Sequence, residues 1–147
     1  MTALRLLFIT IAIVLFSGCT TVPHGDSKGG APTTSTLSKN RKIAGADGNI
    51  TISSTTTNSN RLELNVKHVG ALNRISPRAK NYIVWELPVG FSMKPQSLGP
   101  LKIDKNYTGR LNTVTPFRNF DIFITAEPAL NPLQPTGEKL FWTTVNR

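Results

Sequence analysis

The sequence predicts an all-β protein, an antiparallel β-sandwich of about seven strands over residues 49–147. Apolar and polar residues alternate with a period of two in seven short runs, whose apolar positions are rich in β-branched and aromatic side chains. Clusters of Gly, Pro, Asn and Ser separate the runs, and no window shows a helical stripe. Seven short strands in about 100 residues are typical of a sandwich, with a small closed barrel as the alternative. The runs are residues 50–52, 62–66, 83–87, 101–103, 111–113, 120–124 and 140–145.

The third run is the most hydrophobic. Ile83, Trp85 and Leu87 share one face of the predicted strand, and Glu86 lies on the other. This pattern predicts that Trp85 is a core residue. Core packing is also the default for Trp142, and the alternative for both tryptophans is stacking on a sugar or peptide ligand.

Residues 1–18 have the pattern of an export signal. Arg5 makes the start of the chain positive, and an apolar stretch follows from Leu6 to Phe16. That stretch is too short to span a bilayer, which needs about 20 residues, and it suits the apolar region of a signal peptide. Ser17 and Gly18 then precede the single cysteine of the chain, at position 19. This arrangement resembles the lipobox of bacterial lipoproteins.

The lipobox resemblance implies cleavage before Cys19 and transfer of a diacylglyceryl group to its sulfur, with the new amino group open to acylation. Two or three acyl chains anchor a protein stably, whereas one anchors it only marginally. The implied location is a membrane, on the periplasmic side. Thr20 follows the cysteine, in place of the Asp that retains lipoproteins at the inner membrane in enterobacteria. Under that rule the outer membrane is implied.

Residues 19–48 are predicted to form a flexible stalk before the domain. Gly, Pro, Ser and Thr dominate this segment, and its large apolar residues are limited to Val22, Leu37 and Ile43. Such a composition buries too little surface to offset the entropy lost on ordering. The segment is also basic, through Lys28, Lys39, Arg41 and Lys42.

The mature chain is strongly basic. Removing residues 1–18, which hold Arg5 and no acid, leaves 16 Lys and Arg against 8 Asp and Glu, a net charge of +8. That balance favours anionic partners such as lipid headgroups and acidic glycans, and export excludes most nucleic acid. The predicted partners are the membrane, through the lipid on Cys19, and an envelope protein or an anionic polymer. With one cysteine, the exported domain has no internal disulfide.

Four motifs lie between residues 82 and 144: Tyr82-Ile83-Val84-Trp85, Leu98-Gly99 before Asp104, Thr125-Ala126-Glu127-Pro128 and Pro135-Thr136-Gly137. With these motifs the stretch resembles the exported C-terminal domain of anti-sigma-K-type factors. In that family these positions form a compact β-sandwich outside the membrane, and the position of Glu127 ends a strand at a turn. The sequence shows no counterpart of that family's cytoplasmic sigma-binding part or transmembrane helix. The resemblance therefore implies a fold and an extracytoplasmic location, without sigma-factor regulation.

No catalytic, cofactor or metal site is predicted. His24 and His68 are isolated, and no nucleophile elbow or phosphate-binding Gly-rich loop occurs. The segment that starts at Asp104 begins like a calcium loop, but Thr115 stands at its twelfth position, where a bidentate Glu is required. Residues 104–109 are therefore predicted to form a hairpin loop in which Gly109 supplies a positive φ.

The sequence thus indicates a lipid-anchored, non-catalytic β-sandwich that binds or supports something in the cell envelope. One alternative is an envelope hydrolase whose carboxylates, such as Glu86 and Glu127, face each other across a concave pocket. Another is a sensor accessory that pairs with a second exported domain through an apolar patch or a bare edge strand. A basic loop with Arg74, Arg78 and Lys80 precedes the third run, and solvation is its default role.

Overall fold

The computed structural model describes residues 30–147; the predicted signal peptide, Cys19 and residues 19–29 of the predicted stalk lie outside this range. Ten strands make up half of the described chain, with one 3₁₀ turn at Arg41–Ile43 and one short helix, α1, at Leu72–Ile75. The strands are β1 (Thr33–Thr36), β2 (Ser38–Lys39), β3 (Asp47–Ser54), β4 (Asn60–Lys67), β5 (Asn81–Pro88), β6 (Gln96–Pro100), β7 (Lys102–Ile103), β8 (Gly109–Thr115), β9 (Phe120–Glu127) and β10 (Lys139–Val145).

The strands form two five-stranded antiparallel sheets packed face to face. The first sheet has the order β1-β3-β4-β8-β7, and the second has the order β2-β10-β9-β5-β6. The predicted antiparallel β-sandwich is therefore confirmed. All seven predicted runs fall on strands, except that Leu101 lies between β6 and β7. Within residues 30–147, neither helical segment has the length and apolar character needed to cross a membrane.

The main core lies between the inner faces of the two sheets. Alternate residues of β3 and β4 point inward from the first sheet and meet alternate residues of β5, β9 and β10 from the second. Burial of each such Ile, Leu, Val or Phe side chain contributes about 1.5–3 kcal/mol. The largest fully buried inward side chains are Ile50, Ile52, Leu62, Leu64, Phe120, Ile122, Ile124, Leu140 and Phe141.

Both edges of the sandwich are closed by a strand that passes from one sheet to the other. At one edge Leu37 separates β1 from β2, and at the other Leu101 separates β6 from β7. Both leucines are buried in the main core. Each packs against a glycine of the neighbouring strand, because a Cβ on Gly48 would lie 2.8 Å from Leu37 Cδ1 and one on Gly109 would lie 2.5 Å from Leu101 Cδ2.

The predicted stalk boundary at residue 48 is wrong. Thr33 pairs with Ile52 and Thr36 with Asn49, so β1 belongs to the first sheet. Leu37 and Ile43 are buried in the main core, which means that two of the few apolar residues of the segment insert between the sheets. Edge residues such as those of β1 are exposed and therefore carry no alternating pattern. The sandwich thus begins by Thr33.

Trp85 is fully buried, as predicted, but on the other side of its sheet. Its face of β5 points away from the main core and forms a second cluster of Ile83, Trp85 and Phe123, with Leu87 packed against it. The inward face carries Val84 and Glu86 instead. The indole N–H of Trp85 donates to Thr125 Oγ1 at 2.8 Å, which satisfies its only polar atom.

The sandwich has two ends that differ in composition. The proximal end contains Gly30, residues 55–59, the loop 89–95, residues 116–119 and Arg147; the register of Asn60 with Thr115 and of Pro88 with Phe120 brings these segments together. The distal end contains the loops 40–46, 68–80, 104–108 and 128–138.

Candidate functional site

A groove of about 350 Å³ opens at the distal end. One wall is the end of α1 and the two residues after it, Ile75, Ser76 and Pro77, and the other is the segment leading into β10, with Gly137 and Glu138. Lys42, from the 3₁₀ turn, also lines the groove and forms a salt bridge with Glu138. Apolar side chains, the Ser76 hydroxyl and this ion pair together make the groove a recess of mixed polarity.

Glu127 holds the β10 side of this groove in place. Its buried carboxylate accepts hydrogen bonds from the backbone N–H groups of Thr136 and Gly137, at 2.9 and 3.0 Å, and from the Thr136 hydroxyl. Thr125 donates a further bond at 2.6 Å and accepts from Trp85. The backbone carbonyl of Glu127 accepts from Lys80 N at 2.9 Å. One residue therefore contacts both segments that form the groove.

The pKa of Glu127 reflects this structural role. Burial acts to raise the pKa of its carboxyl, but the hydrogen bonds from Thr125, Thr136 and Gly137 together lower it below the ordinary value. The carboxylate is thus ionised and fully engaged at neutral pH. A group whose oxygens are occupied by internal donors is poorly suited to act as a general acid or base.

The α1 side of the groove is basic. Residues 67–80 contain Lys67, Arg74, Arg78 and Lys80 and no acidic residue, and all four basic side chains are exposed. The salt bridges of the described chain are Lys39 with Asp47 and Lys42 with Glu138, so none of the four is paired with a described carboxylate. Lys67 lies opposite Asp47 of β3 and away from the groove. Arg74 and Arg78 flank the lining residues 75–77, so the positive charge beside the groove comes from the segment 74–80.

Tyr82 anchors the loop that leads to this basic segment. Its phenolic O–H, on the inner face of β5, is 3.0 Å from the Val69 carbonyl and 3.2 Å from the Gly70 carbonyl. Burial raises the pKa of Tyr82 to about 12, so the phenol remains a donor throughout the physiological range. In the sequence Tyr82 stands out only as the first residue of the motif Tyr82-Ile83-Val84-Trp85, because a buried tyrosine reveals its hydrogen-bond partner only in three dimensions.

Glu86 and Glu127 are not brought together. Glu86 lies opposite Ile122, a main-core residue, and therefore points between the sheets, whereas Glu127 lies opposite Asn81 on the outer face. Burial raises the pKa of Glu86, against a side-chain hydrogen bond with Thr115 that lowers it, and its Oε2 atom has no hydrogen-bond partner. Two carboxyls on opposite faces of one sheet cannot share a substrate in the way a glycosidase pair does.

The remaining predicted positions are on the surface or outside the described range. His68 is exposed directly after β4, with φ +56°, and His24 is outside the described residues. Trp142 is 39% exposed, so its default assignment to the core is wrong. On one side its neighbour is the two-residue edge strand β2, which leaves the face of β10 that carries Trp142 uncovered.

Residues 104–108 form the predicted hairpin loop between β7 and β8. The Asp104 carboxylate accepts from Asn106 N at 2.8 Å and from Thr108 N at 2.9 Å, which closes the turn. The positive φ is at Tyr107, +55°, and not at Gly109. Gly109 is instead required for space against Leu101. Within residues 30–147 no group of three His, Cys, Asp or Glu side chains is arranged to hold a metal ion.

No protein-family profile matches this sequence, and no curated protein matches it. The geometry and charge of the sandwich are therefore the basis for a functional proposal.

Proposed function

We propose that this chain is a lipid-anchored cell-envelope protein whose non-catalytic β-sandwich binds an anionic envelope polymer at its distal end. The observation that carries the proposal is the basic segment 74–80 beside the distal groove, which has the three basic residues Arg74, Arg78 and Lys80 and no acid. Anionic glycans carry many carboxylates, and a positively charged surface attracts ligands of this class.

The position of this surface relative to the anchor supports the proposal. Chain residues between Cys19 and the sandwich join it at the proximal end, since Ala31 O accepts a hydrogen bond from Arg147 there. The distal groove lies at the opposite end, so it faces away from the point of attachment. A tethered protein that holds a polymer needs its binding surface directed away from its own membrane.

The rigidity of the groove also supports a binding role. Glu127 fixes both segments of the groove through its carboxylate and its backbone carbonyl, and Tyr82 fixes the loop that leads to the basic segment. Preorganised surfaces bind more tightly because less conformational entropy is lost on association. By contrast, the hydrolase alternative requires Glu86 and Glu127 to act as a pair, and they point to opposite faces of the sheet.

The anchoring half of the proposal is tested with Cys19→Ala. The variant is expected to leave the membrane fraction, or to remain as the uncleaved precursor, because the sulfur that carries the lipid is absent. Fractionation with immunodetection measures both results. A variant that is processed and retained in the membrane like the natural chain would contradict lipid anchoring.

The binding half is tested by sedimentation of residues 20–147 with purified peptidoglycan sacculi. The variant R74S/R78S/K80S is expected to bind about 3- to 150-fold more weakly, because each exposed ion pair is worth about 0.2–1 kcal/mol. The matched control R61S/K94S/R118S removes the same charge from exposed positions toward the proximal end and is expected to bind nearly as well as the natural sequence. Equal losses in the two variants would indicate that net charge alone causes the binding, and would contradict a distal site.

A further inference from the structure

We propose that the proximal end of the sandwich rests on the same membrane that holds the lipid, with the loop 89–95 in the headgroup region and neighbouring arginines on anionic headgroups. This inference rests on the proposed lipid anchor at Cys19. It adds a second membrane contact, made by the folded domain itself, and therefore a fixed orientation of the domain on the bilayer.

Three large apolar side chains of the loop 89–95 are exposed to solvent. Phe91 is 63% exposed, Val89 46% and Met93 40%. The Phe91 ring packs at 6.2 Å from Phe117, which extends the apolar surface onto the next turn. Three large apolar side chains at one loop tip form a patch of the kind that marks an interaction site.

The loop is fixed in this exposed position. Val89 N donates to Asn119 O at 2.9 Å, which ties the loop base to the turn before β9. Gly90 has φ +85°, a conformation that glycine adopts without strain and that directs the chain outward. The apolar side chains are therefore held at the surface by the backbone.

Positive charge surrounds this patch. A cavity of about 460 Å³ adjoins it, lined by hydroxyl and amide side chains and by Arg118 and Arg147. Arg118 donates to Asn58 Oδ1 at 2.7 Å, and Arg147 donates to Ala31 O at 3.0 Å and contacts Asn60 Oδ1 at 3.4 Å. No carboxylate of residues 30–147 pairs with either arginine, so each retains N–H groups for a phosphate oxygen.

The exposed charges at this end are mostly of one sign. Lys94, at the loop tip, is exposed and also unpaired among the described residues. Of the acids near this end, Glu86 is buried between the sheets and the Asp121 carboxylate accepts from Thr144 at 2.6 Å on the outer face. An apolar tip with a basic surround matches the interface of an anionic membrane, where apolar side chains enter the headgroup boundary and cations bind the phosphates.

The length of the tether favours the membrane over a protein partner. Gly30 lies eleven positions after Cys19, so the proximal end is held within about 40 Å of the bilayer even when that segment is fully extended. Contact with the membrane is then intramolecular, and its effective concentration is high enough for weak contacts to persist. A protein partner gains no such effective concentration from the tether.

The test uses the full chain, processed and lipidated at Cys19, in vesicles of phosphatidylcholine with or without phosphatidylglycerol. Cys19 is the single cysteine and its sulfur is blocked by the lipid, so Phe91→Cys introduces one reactive thiol for a polarity-sensitive fluorophore. Leu133→Cys is the matched control, because Leu133 is 99% exposed in a loop of the distal end. We expect a blue shift and quenching by spin-labelled lipids at position 91 only, both stronger with phosphatidylglycerol.

A second variant tests the role of the arginines. Arg118→Ser is expected to remove most of the extra effect of phosphatidylglycerol at position 91, whereas Arg110→Ser, on the first sheet, is expected to leave it unchanged. Identical spectra at positions 91 and 133 in chains that float with the vesicles would overturn the proximal contact and leave the anchor intact. A fluorophore at position 91 that is shielded only after addition of envelope proteins would overturn it in favour of a protein partner. Chains that do not float with the vesicles would overturn the anchor itself.

Discussion

Replacing Glu127 is expected to destabilise the sandwich, although the residue looks like an ordinary surface acid in the sequence. Its carboxylate accepts four hydrogen bonds, two of them from the backbone N–H groups of Thr136 and Gly137. In Glu127→Ala those two donors lose their acceptor, at about 1 kcal/mol or more each, and the bond from Thr125 is lost as well. The expected decrease in the free energy of unfolding is about 2–4 kcal/mol, a large part of the roughly 5–15 kcal/mol of a typical domain.

Glu127→Gln removes the negative charge of residue 127 but keeps an oxygen that accepts hydrogen bonds. The amide oxygen can still accept from the backbone donors, but hydrogen bonds to a charged group are worth about 1.5–3 kcal/mol against about 0.5–1.5 for neutral ones. We therefore expect a smaller loss, about 1–2 kcal/mol at pH 7. Because the folded-state pKa of Glu127 is lowered, the stabilisation by its carboxylate is complete above its ordinary value of 4.5 and is lost as the pH falls through the lowered pKa. The difference between the natural chain and Glu127→Gln should narrow accordingly in acid.

Denaturant unfolding of residues 20–147, followed by tryptophan fluorescence, measures these changes, since Trp85 is linked to Glu127 through Thr125. Glu63→Gln is the matched control because Glu63 is exposed on β4, and its effect should stay within about 0.5 kcal/mol. If Glu127→Ala and Glu63→Gln have the same unfolding midpoint, the carboxylate does not hold the β9–β10 loop, and the proposed rigidity of the distal groove has no basis.

Three further changes test other parts of the fold. Gly109→Ala is expected to cost about 1–3 kcal/mol of stability, because the new Cβ would lie 2.5 Å from Leu101 Cδ2; thermal unfolding measures it, and an unchanged midpoint would contradict the close packing. Glu86→Gln is expected to raise the unfolding midpoint at neutral pH and to lose this advantage in acid. Burial raises the pKa of Glu86, so the carboxylate form of the natural residue destabilises the fold as the pH rises through that pKa. A variant whose midpoint at neutral pH is lower than that of the natural chain would contradict this. Limited proteolysis with mass spectrometry is expected to leave a resistant fragment that retains Thr33, whereas a fragment that begins near Asn49 would show that β1 is not part of the stable sandwich.

The strands could be predicted from the sequence, but which face of β5 points into the main core could not. Alternation in β3 and β4 identifies an inward face, because the opposite face of the first sheet is polar. In β5 both faces are apolar, and the presence of Glu86 on one of them suggested that the face of Trp85 is the inward one. The structure has the opposite arrangement, since an outer cluster buries Trp85 while Glu86 lies between the sheets. One charged residue is a weak guide when both faces of a strand are covered.

The groove could not be predicted from the sequence either; only the positive charge beside it could. Arg74, Arg78 and Lys80 stood out as a basic run, and their position beside the groove follows only from the fold. The lining residues themselves come from positions 42, 75–77, 126, 137, 138 and 140 of the chain, and Lys42 joins them because its part of the predicted stalk belongs to the sandwich. Asn40 makes this connection, since its backbone N–H donates to Leu140 O at 2.8 Å. A segment that appears as a linker by composition therefore provides one side of the site.

The closed sheet edges leave few positions at which a partner strand could pair with the sandwich. A bare edge strand would allow pairing with a second exported domain, but the edge strands have only two to five residues, and each edge passes into the other sheet at a buried leucine. The described backbone thus offers little length for strand addition, which weakens the sensor-accessory alternative in its edge-strand form. Among the described residues, the loops at the two ends differ mainly in where positive charge lies. At the proximal end the loop 89–95 exposes apolar side chains beside Arg118 and Arg147, which pair with no described carboxylate. At the distal end Leu130 and Leu133 are exposed as well, and the basic residues of the segment 74–80 lie beside a groove. The described chain enters the sandwich at the proximal end, so the proposed membrane contact and the proposed polymer-binding groove lie at opposite ends of the domain.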